Sequence, residues 1–154
     1  MDKSRLTVLT ADMEAQMSLV ERVYRELEKR ASKLEPDDEI RLESIAYQLH
    51  NLYNAVEDLL KIVAAHFENQ IADTAHWHTA LLYRMTQEIA GVRPALLSEE
   101  SYHLLNSLRG FRHFFRHAYG ATIEYAPLRI NLDKARELYP LLKADVERFL
   151  GQFK

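Results

Sequence analysis

The sequence contains no cysteine and only four glycines and four prolines among 154 residues. Without cysteine there can be no disulfide framework, thiolate zinc site, iron–sulfur cluster or cysteine nucleophile. No apolar run approaches the roughly 20 residues of a membrane span, and no apolar segment near the start has signal-peptide length. We therefore expect a cytoplasmic, soluble protein with no membrane contact.

An excess of basic charge is also missing, because the net charge at pH 7 is −3. Any binding of nucleic acid must therefore depend on a local cluster of basic residues rather than on the whole surface. Hydrophobic residues make up 47% of the chain and charged residues 28%, a mixture typical of globular proteins and not of disordered ones. The length predicts one domain spanning residues 1–154.

Apolar residues recur at steps of three and four, which is the spacing of helices. The pattern predicts two long N-terminal helices, 5–34 and 38–67, that pair as an antiparallel hairpin, with an aspartate of the break at residues 35–38 as the cap of the second. Further along the chain, the pattern and the capping residues predict three more helices: 77–90, 99–118 after the N-cap Ser98, and a last helix capped by Asn131 or Asp133, which Pro140 should kink or divide. The expected fold is an all-α bundle of about five helices.

The segment 101–123, here called the acid-free segment, contains no Asp or Glu although the chain has 23 acidic residues. On a helix its residues divide into two stripes. One stripe is apolar and is predicted to face the core: Leu104, Leu108, Phe111, Phe115 and Ala118. The other carries polar and charged groups, with His113 beside it: Arg109, Arg112, Arg116 and Tyr119.

The arginines and histidines of this segment, among them Arg112 and His117, together carry the groups that metal-free cleavage of RNA requires. Arginine binds phosphate through a planar fork of donors, and histidine can exchange a proton with a ribose 2′-hydroxyl or a leaving 5′-oxygen near neutral pH. Five residues apart, the two side chains point about 140° away from each other on an ideal helix. They converge only if the helix unwinds before Gly120 or if a second copy of the protein completes the site.

Residues 112–119, Arg-His-Phe-Phe-Arg-His-Ala-Tyr, resemble the Arg-x4-His-x-Tyr signature of the HepT toxins of the HEPN superfamily, which are small helical ribonucleases. The resemblance implies a metal-independent, cofactor-free endoribonuclease that dimerises around one composite cleft. Arg112 and His117 would be the catalytic pair. Tyr119 would be the residue to which a partner nucleotidyltransferase, MntA, attaches AMP to neutralise the toxin. Arg109, Arg116 and His113 are predicted to be auxiliary phosphate contacts.

Three alternatives remain open at this stage. The same cleft could bind RNA or a nucleotide without cutting it, as a non-catalytic partner of a nucleotidyltransferase. The basic residues could simply complement the dipole of a helix C-terminus. His113 and His117 have a spacing that can hold a metal, but the segment supplies no carboxylate, so no metal site is predicted.

Four polar residues of the second helix are expected mainly on a solvated face, although some could line the cleft or orient His117: Asn51, Asn54, Glu57 and Asp58.

Overall fold

The computed structural model describes residues 1–68, 77–117, 120 and 122–154, with the backbone alone for 77–79. Within these residues the chain forms an all-α bundle without β-strands, as the sequence predicts. Its five helices are α1 (Lys3–Ala31), α2 (Glu39–Phe67), α3 (Trp77–Arg84), α4 (Glu99–Arg116) and α5 (Tyr125–Gly151). None of these described helices is both long enough and apolar enough to cross a membrane.

The hairpin of α1 and α2 is confirmed, and two hydrogen bonds establish that the helices run antiparallel. Gln16 Nε2 donates to the carbonyl of Ala55 over 2.8 Å. Near the start of α1, Arg5 Nη2 donates over 3.1 Å to the carbonyl of His66, which lies near the end of α2. The predicted cap at the start of α2 is also present, because the Asp38 carboxylate accepts the backbone N–H of Arg41 at 3.0 Å.

The core lies where α2 packs between α1, α4 and α5. Its largest fully buried side chains come from α1, α2, α3 and α5: Tyr53, Phe149, Leu9, Met13, Leu27, Ile45, Leu49, Leu52, Leu59, Leu60, Leu81 and Leu82. A buried polar contact joins the first and last helices, since the Tyr24 hydroxyl donates to the carbonyl of Ala135. Burial raises the pKa of that hydroxyl far above its usual range.

The predicted third helix, 77–90, is too long, because α3 ends at Arg84. The chain that follows takes over the hydrogen bonding of its last turn. The carbonyl of Met85 accepts the backbone N–H groups of Leu96 and Leu97, both at 2.9 Å, and so the pattern of a continuing helix is lost.

Arg93 is the side chain that closes this end of α3. Its guanidinium, in a residue that is only 3% exposed, donates to the carbonyls of Arg84 at 3.1 Å and Gln87 at 2.8 Å. With the helix ended, these carbonyls lack the N–H partner four residues further along that a continuing α-helix would supply. The connecting turn contains Gly91 at φ +76°, a conformation that glycine adopts without strain.

The predicted start of the last helix is also wrong, because α5 begins at Tyr125 and not after Asn131 or Asp133. Pro127 lies in the first turn, where a backbone N–H has no helical partner to lose. Asn131 acts inside the helix instead of capping it, since its Nδ2 donates to the carbonyl of Pro127 at 2.9 Å.

Pro140 does not divide α5, which continues unbroken to Gly151. Leu138 and Leu142 on either side of the proline are each 1% exposed. Their packing in the core stabilises the helix across a position where one backbone hydrogen bond is missing.

Candidate functional site

Helix α4 carries the acid-free segment, and its two ends are well defined. Ser98 caps the start as predicted, with its hydroxyl accepting the N–H of Ser101 at 3.2 Å. The helix ends at Arg116. His117 occupies the C-cap with φ −110° and ψ 10°, and its N–H donates to the carbonyl of Phe114 at 3.2 Å. The backbone thus leaves helical geometry before Gly120. Unwinding at this point is one of the two conditions under which Arg112 and His117 could converge, the other being a second copy of the protein.

The apolar stripe of α4 is broader than the sequence indicates. Leu108 and Phe111 are buried as predicted, whereas Leu104 and Phe115 are half-buried. Leu105 is fully buried although it lies outside the predicted stripe. The reason is that α4 packs against both α2 and α5 and so needs two apolar edges. Ala118, the last predicted member of the stripe, lies outside the described residues.

Arg112 is half-buried between α4 and α2. Its Nε donates to Asn54 Oδ1 over 2.6 Å, and its Cζ lies 5.5 Å from the ring centroid of Tyr53. Both partners are uncharged. These described partners therefore hold the guanidinium in place without compensating its positive charge.

The other basic residues of the acid-free segment surround this position. Arg109 donates to Asn106 Oδ1 from Nε at 3.2 Å and from Nη2 at 3.1 Å, so it too is bound by a neutral amide. Arg116 is exposed. His113 and His117 are also exposed, and their ring centroids lie 4.6 Å apart.

In the part of the chain that the structure describes, none of the three arginines of the segment forms an ion pair with a carboxylate. Arginines elsewhere in the bundle do form such pairs: Arg25, Arg30, Arg84, Arg93, Arg129, Arg136 and Arg148. Among the described residues, the C-terminal end of α4 is consequently a cluster of positive charge in which no arginine is paired with a carboxylate, and such a cluster suits a ligand that supplies its own negative charge.

The comparison with known families decides the classification. A family model described as "HepT-like protein" matches residues 44–153. The matched range includes most of α2, all of α3, α4 and α5, and the motif at 112–119. This chain belongs to the HepT-like family of the HEPN superfamily. No curated protein and no solved structure matches it.

In this HepT-like chain, α2 contributes to the site more than the sequence predicts. Asn54 contacts Arg112, and its Nδ2 lies 3.1 Å from Nε2 of His50. The His50 ring in turn lies 5.7 Å from the ring of Phe115. Burial, together with the charges of Arg112 and Arg116, lowers the pKa of His50 below its usual value of 6.5.

The prediction that four polar residues of α2 lie on a solvated face is thus wrong for two of them. Asn54 faces Arg112, and Glu57 is only 3% exposed, whereas Asp58 is exposed as expected. Burial and the neighbouring Glu57 raise the pKa of the Tyr53 hydroxyl well above its usual range. The spacing of His50, Asn54 and Glu57, at steps of four and three, is the signal that places them on one face.

Two remaining predictions concern Tyr119 and the histidine pair. Tyr119 lies outside the described residues. Among the residues that are described, no three histidine, aspartate or glutamate side chains are grouped closely enough to hold a metal ion. Nor does any described contact join Arg112 to His117 within one chain, since Arg112 binds Asn54 and His117 lies beside His113.

Proposed function

We propose that this protein is a metal-independent endoribonuclease and the toxin of a toxin–antitoxin pair, with Arg112 and His117 as its catalytic residues. The observation that carries the proposal is the combination of the Arg-x4-His-x-Tyr motif with an arginine bound by neutral partners. Arg112 is held by Asn54 and Tyr53 rather than by a carboxylate. Its charge therefore remains available to a phosphodiester.

The reaction that suits these groups uses the 2′-hydroxyl of RNA as its nucleophile. A histidine accepts the proton of the 2′-hydroxyl while O2′ bonds to phosphorus, and the bond from phosphorus to O5′ breaks as a proton is delivered to O5′. The products are a 2′,3′-cyclic phosphate and a 5′-hydroxyl end. Arg112 stabilises the extra negative charge of the pentacovalent phosphorus. DNA lacks the 2′-hydroxyl and is not a substrate of this reaction.

A homodimer is part of the proposal, because Arg112 and His117 make no described contact within one chain. Two copies of the motif facing one cleft would bring an arginine of one copy to the histidine of the other. The two histidines would then divide the roles of base and acid. The exposed positions of His113, Arg116 and His117 leave them accessible to such a partner and to RNA, and His113, Arg109 and Arg116 are assigned as auxiliary phosphate contacts.

Tyr119 is the proposed site of control by an MntA-like nucleotidyltransferase. Transfer of AMP to its hydroxyl would bring a negative phosphate into the cluster of positive charge at the end of α4. That phosphate would occupy the charges that the substrate needs. The resulting protein would be a less active nuclease.

The test is cleavage of a single-stranded RNA in the presence of EDTA by the wild type, Arg112→Ala and His117→Ala. We expect each variant to lose at least about 100-fold in kcat, the scale of losing one transition-state stabilising group. Arg129→Ala is the matched control, because Arg129 is an exposed arginine of α5 that pairs with Asp133. Cleavage of a DNA oligonucleotide of the same sequence, which has 2′-deoxy residues throughout, would refute the mechanism. Full activity of His117→Ala would refute it as well.

Binding measured separately from cleavage distinguishes the rival function. If the unmodified wild type binds RNA and yields no products, the protein is a binding module and the nuclease proposal fails. Mass spectrometry after co-expression with a nucleotidyltransferase tests the control step. We expect one or more AMP units on Tyr119 and none on the Tyr119→Phe variant.

A further inference from the structure

The contact between Asn54 and Arg112 joins two residues that are 58 positions apart in the chain. At 2.6 Å it is a short hydrogen bond, and it lies on the side of the guanidinium that carries Nε. In the part of the chain that the structure describes, the two Nη groups of Arg112 have no hydrogen-bond partner. Arg112 is therefore anchored at one edge and open at the other.

The chemistry of the three side chains determines which way the Asn54 amide points. A guanidinium has only donors, so the oxygen of Asn54 must face Arg112. The amide nitrogen then faces Nε2 of His50, at 3.1 Å. Because an amide NH₂ can only donate, Nε2 of His50 must accept, and the ring is neutral with its proton on Nδ1. His50, Asn54 and Arg112 thus form a chain of hydrogen bonds with a single consistent direction.

Such a chain reduces the freedom of a long side chain before substrate arrives. An arginine has several rotatable bonds, and ordering them costs free energy that would otherwise be paid during binding or reaction. The Tyr53 ring restricts the guanidinium from one face, and the Asn54 amide restricts it from the Nε edge. The edge that suits two phosphate oxygens is left for the ligand.

We propose that Asn54 is a positioning residue for Arg112, and that neutral His50 fixes the direction of the Asn54 amide so that the guanidinium is aimed at the scissile phosphate. This inference rests on the proposed nuclease function. Neither His50 nor Asn54 needs to touch the reacting atoms. Their effect on catalysis is transmitted entirely through the geometry of Arg112.

The kinetic test compares Asn54→Ala, Asn54→Asp and the control Asn51→Ala, which changes the same residue type on the same helix. For Asn54→Ala we expect kcat to fall about 10-fold with KM changed less than about 2-fold, because a misplaced charge weakens the transition state most. Asn54→Asp keeps the acceptor but adds a negative charge. Because this charge compensates that of Arg112, we expect kcat to fall at least about 10-fold and KM to rise, even though the acceptor for Nε is kept. Asn51→Ala should behave as the wild type.

A second set of measurements separates positioning from a general effect on stability. Each variant should unfold within about 2–4 °C of the wild type, the shift expected for a single contact in a domain of this size. In an Arg112→Lys background, which lacks the Nε–H, the Asn54→Ala change should have no further effect on kcat. Additive effects of Asn54→Ala and Arg112→Lys in the double variant would overturn the inference, and so would an unchanged kcat in Asn54→Ala.

An NMR measurement tests whether Asn54 holds the Nε–H of Arg112, without any assay of RNA cleavage. The Nε–H signal of Arg112, assigned by its absence in Arg112→Lys, should exchange slowly with water in the wild type and in Asn51→Ala. It should exchange rapidly in Asn54→Ala. Unchanged exchange in Asn54→Ala overturns the positioning role. If the wild type fails to cleave RNA but this signal responds as expected, the nuclease proposal fails and the positioning of Arg112 stands.

Discussion

The two ends of α4 hold charged side chains in opposite ways. At its start, the carboxylate of Asp145 is 2% exposed and accepts three hydrogen bonds, from the Ser98 N–H at 3.0 Å, the Ser98 hydroxyl at 3.1 Å and Arg148 at 3.0 Å. At its end, Arg112 binds a neutral amide, and Arg116 is exposed without a carboxylate partner among the described residues.

The difference separates charge that stabilises the fold from charge that is kept for a ligand. A buried carboxylate with all its partners cannot serve a second purpose, because any change leaves an unpaired buried group. A cation held by amides keeps its electrostatic potential, and the same is true of Arg109 on Asn106. One helix therefore joins a structural end to a binding end.

The strongest test of this comparison is Asp145→Ala. The change leaves the Ser98 N–H without its partner and removes the counter-ion of Arg148, so we expect a loss of about 3 kcal/mol in the free energy of unfolding. Urea denaturation measures it. Asp145→Asn, which keeps an acceptor for Ser98, should lose less. A loss below about 1 kcal/mol for Asp145→Ala would mean that the start of α4 is not held by this carboxylate.

The second test compares two exposed arginines by the salt dependence of binding to a non-cleavable single-stranded RNA. Each phosphate contact contributes about 0.7 to the slope of log Kd against log salt. Arg116→Gln should lower the slope by about that amount. Arg129→Gln should leave it unchanged, because Arg129 pairs with Asp133 on α5. Equal slopes for the two variants would remove Arg116 from the binding surface.

The third test is the stability of Arg112→Met. If the charge of Arg112 serves a ligand and not the fold, its removal should change the free energy of unfolding by less than about 1 kcal/mol, the value of one ordinary hydrogen bond. The methionine keeps a long apolar chain against Tyr53. Urea denaturation of Arg112→Met and Asp145→Ala provides the comparison. Equal losses in the free energy of unfolding would contradict the distinction between a structural and a ligand-binding end of α4.

The smallest expected effect is a pH dependence caused by His50. Its pKa is lowered in the folded protein, so below pH 6.5 the unfolded chain binds a proton that the folded chain resists binding. Stability should therefore fall as pH decreases below about 6.5. The urea midpoint of the wild type should decrease more between pH 8 and pH 5.5 than that of His50→Gln. An identical decrease in both would mean that His50 is not held neutral.

Local patterns predicted α1 and α2 well because long helices with one apolar face and clear caps depend on nearby residues. The capping roles of Asp38 and Ser98 follow from the same local chemistry. The end of α3 could not be predicted in this way. It depends on Arg93 and on the N–H groups of Leu96 and Leu97, which reach back across a turn to Met85 and Arg84.

The early start of α5 shows a related limit. A proline near the beginning of a segment can mark a loop or the first turn of a helix, and Pro127 occupies the first turn. The sequence alone does not choose between these uses, because the choice depends on what the turn packs against.

What the sequence determined by itself was the helical class, the hairpin, and a motif of arginine, histidine and tyrosine inside a segment free of carboxylates, because helical period and charge are properties of neighbouring residues. What only the tertiary structure decided was the environment of that motif. The acceptor that holds Arg112 comes from a different helix, and its neutrality is what leaves the charge available. Contacts between residues that are distant in the chain follow from packing, and a local sequence pattern does not determine how the helices pack.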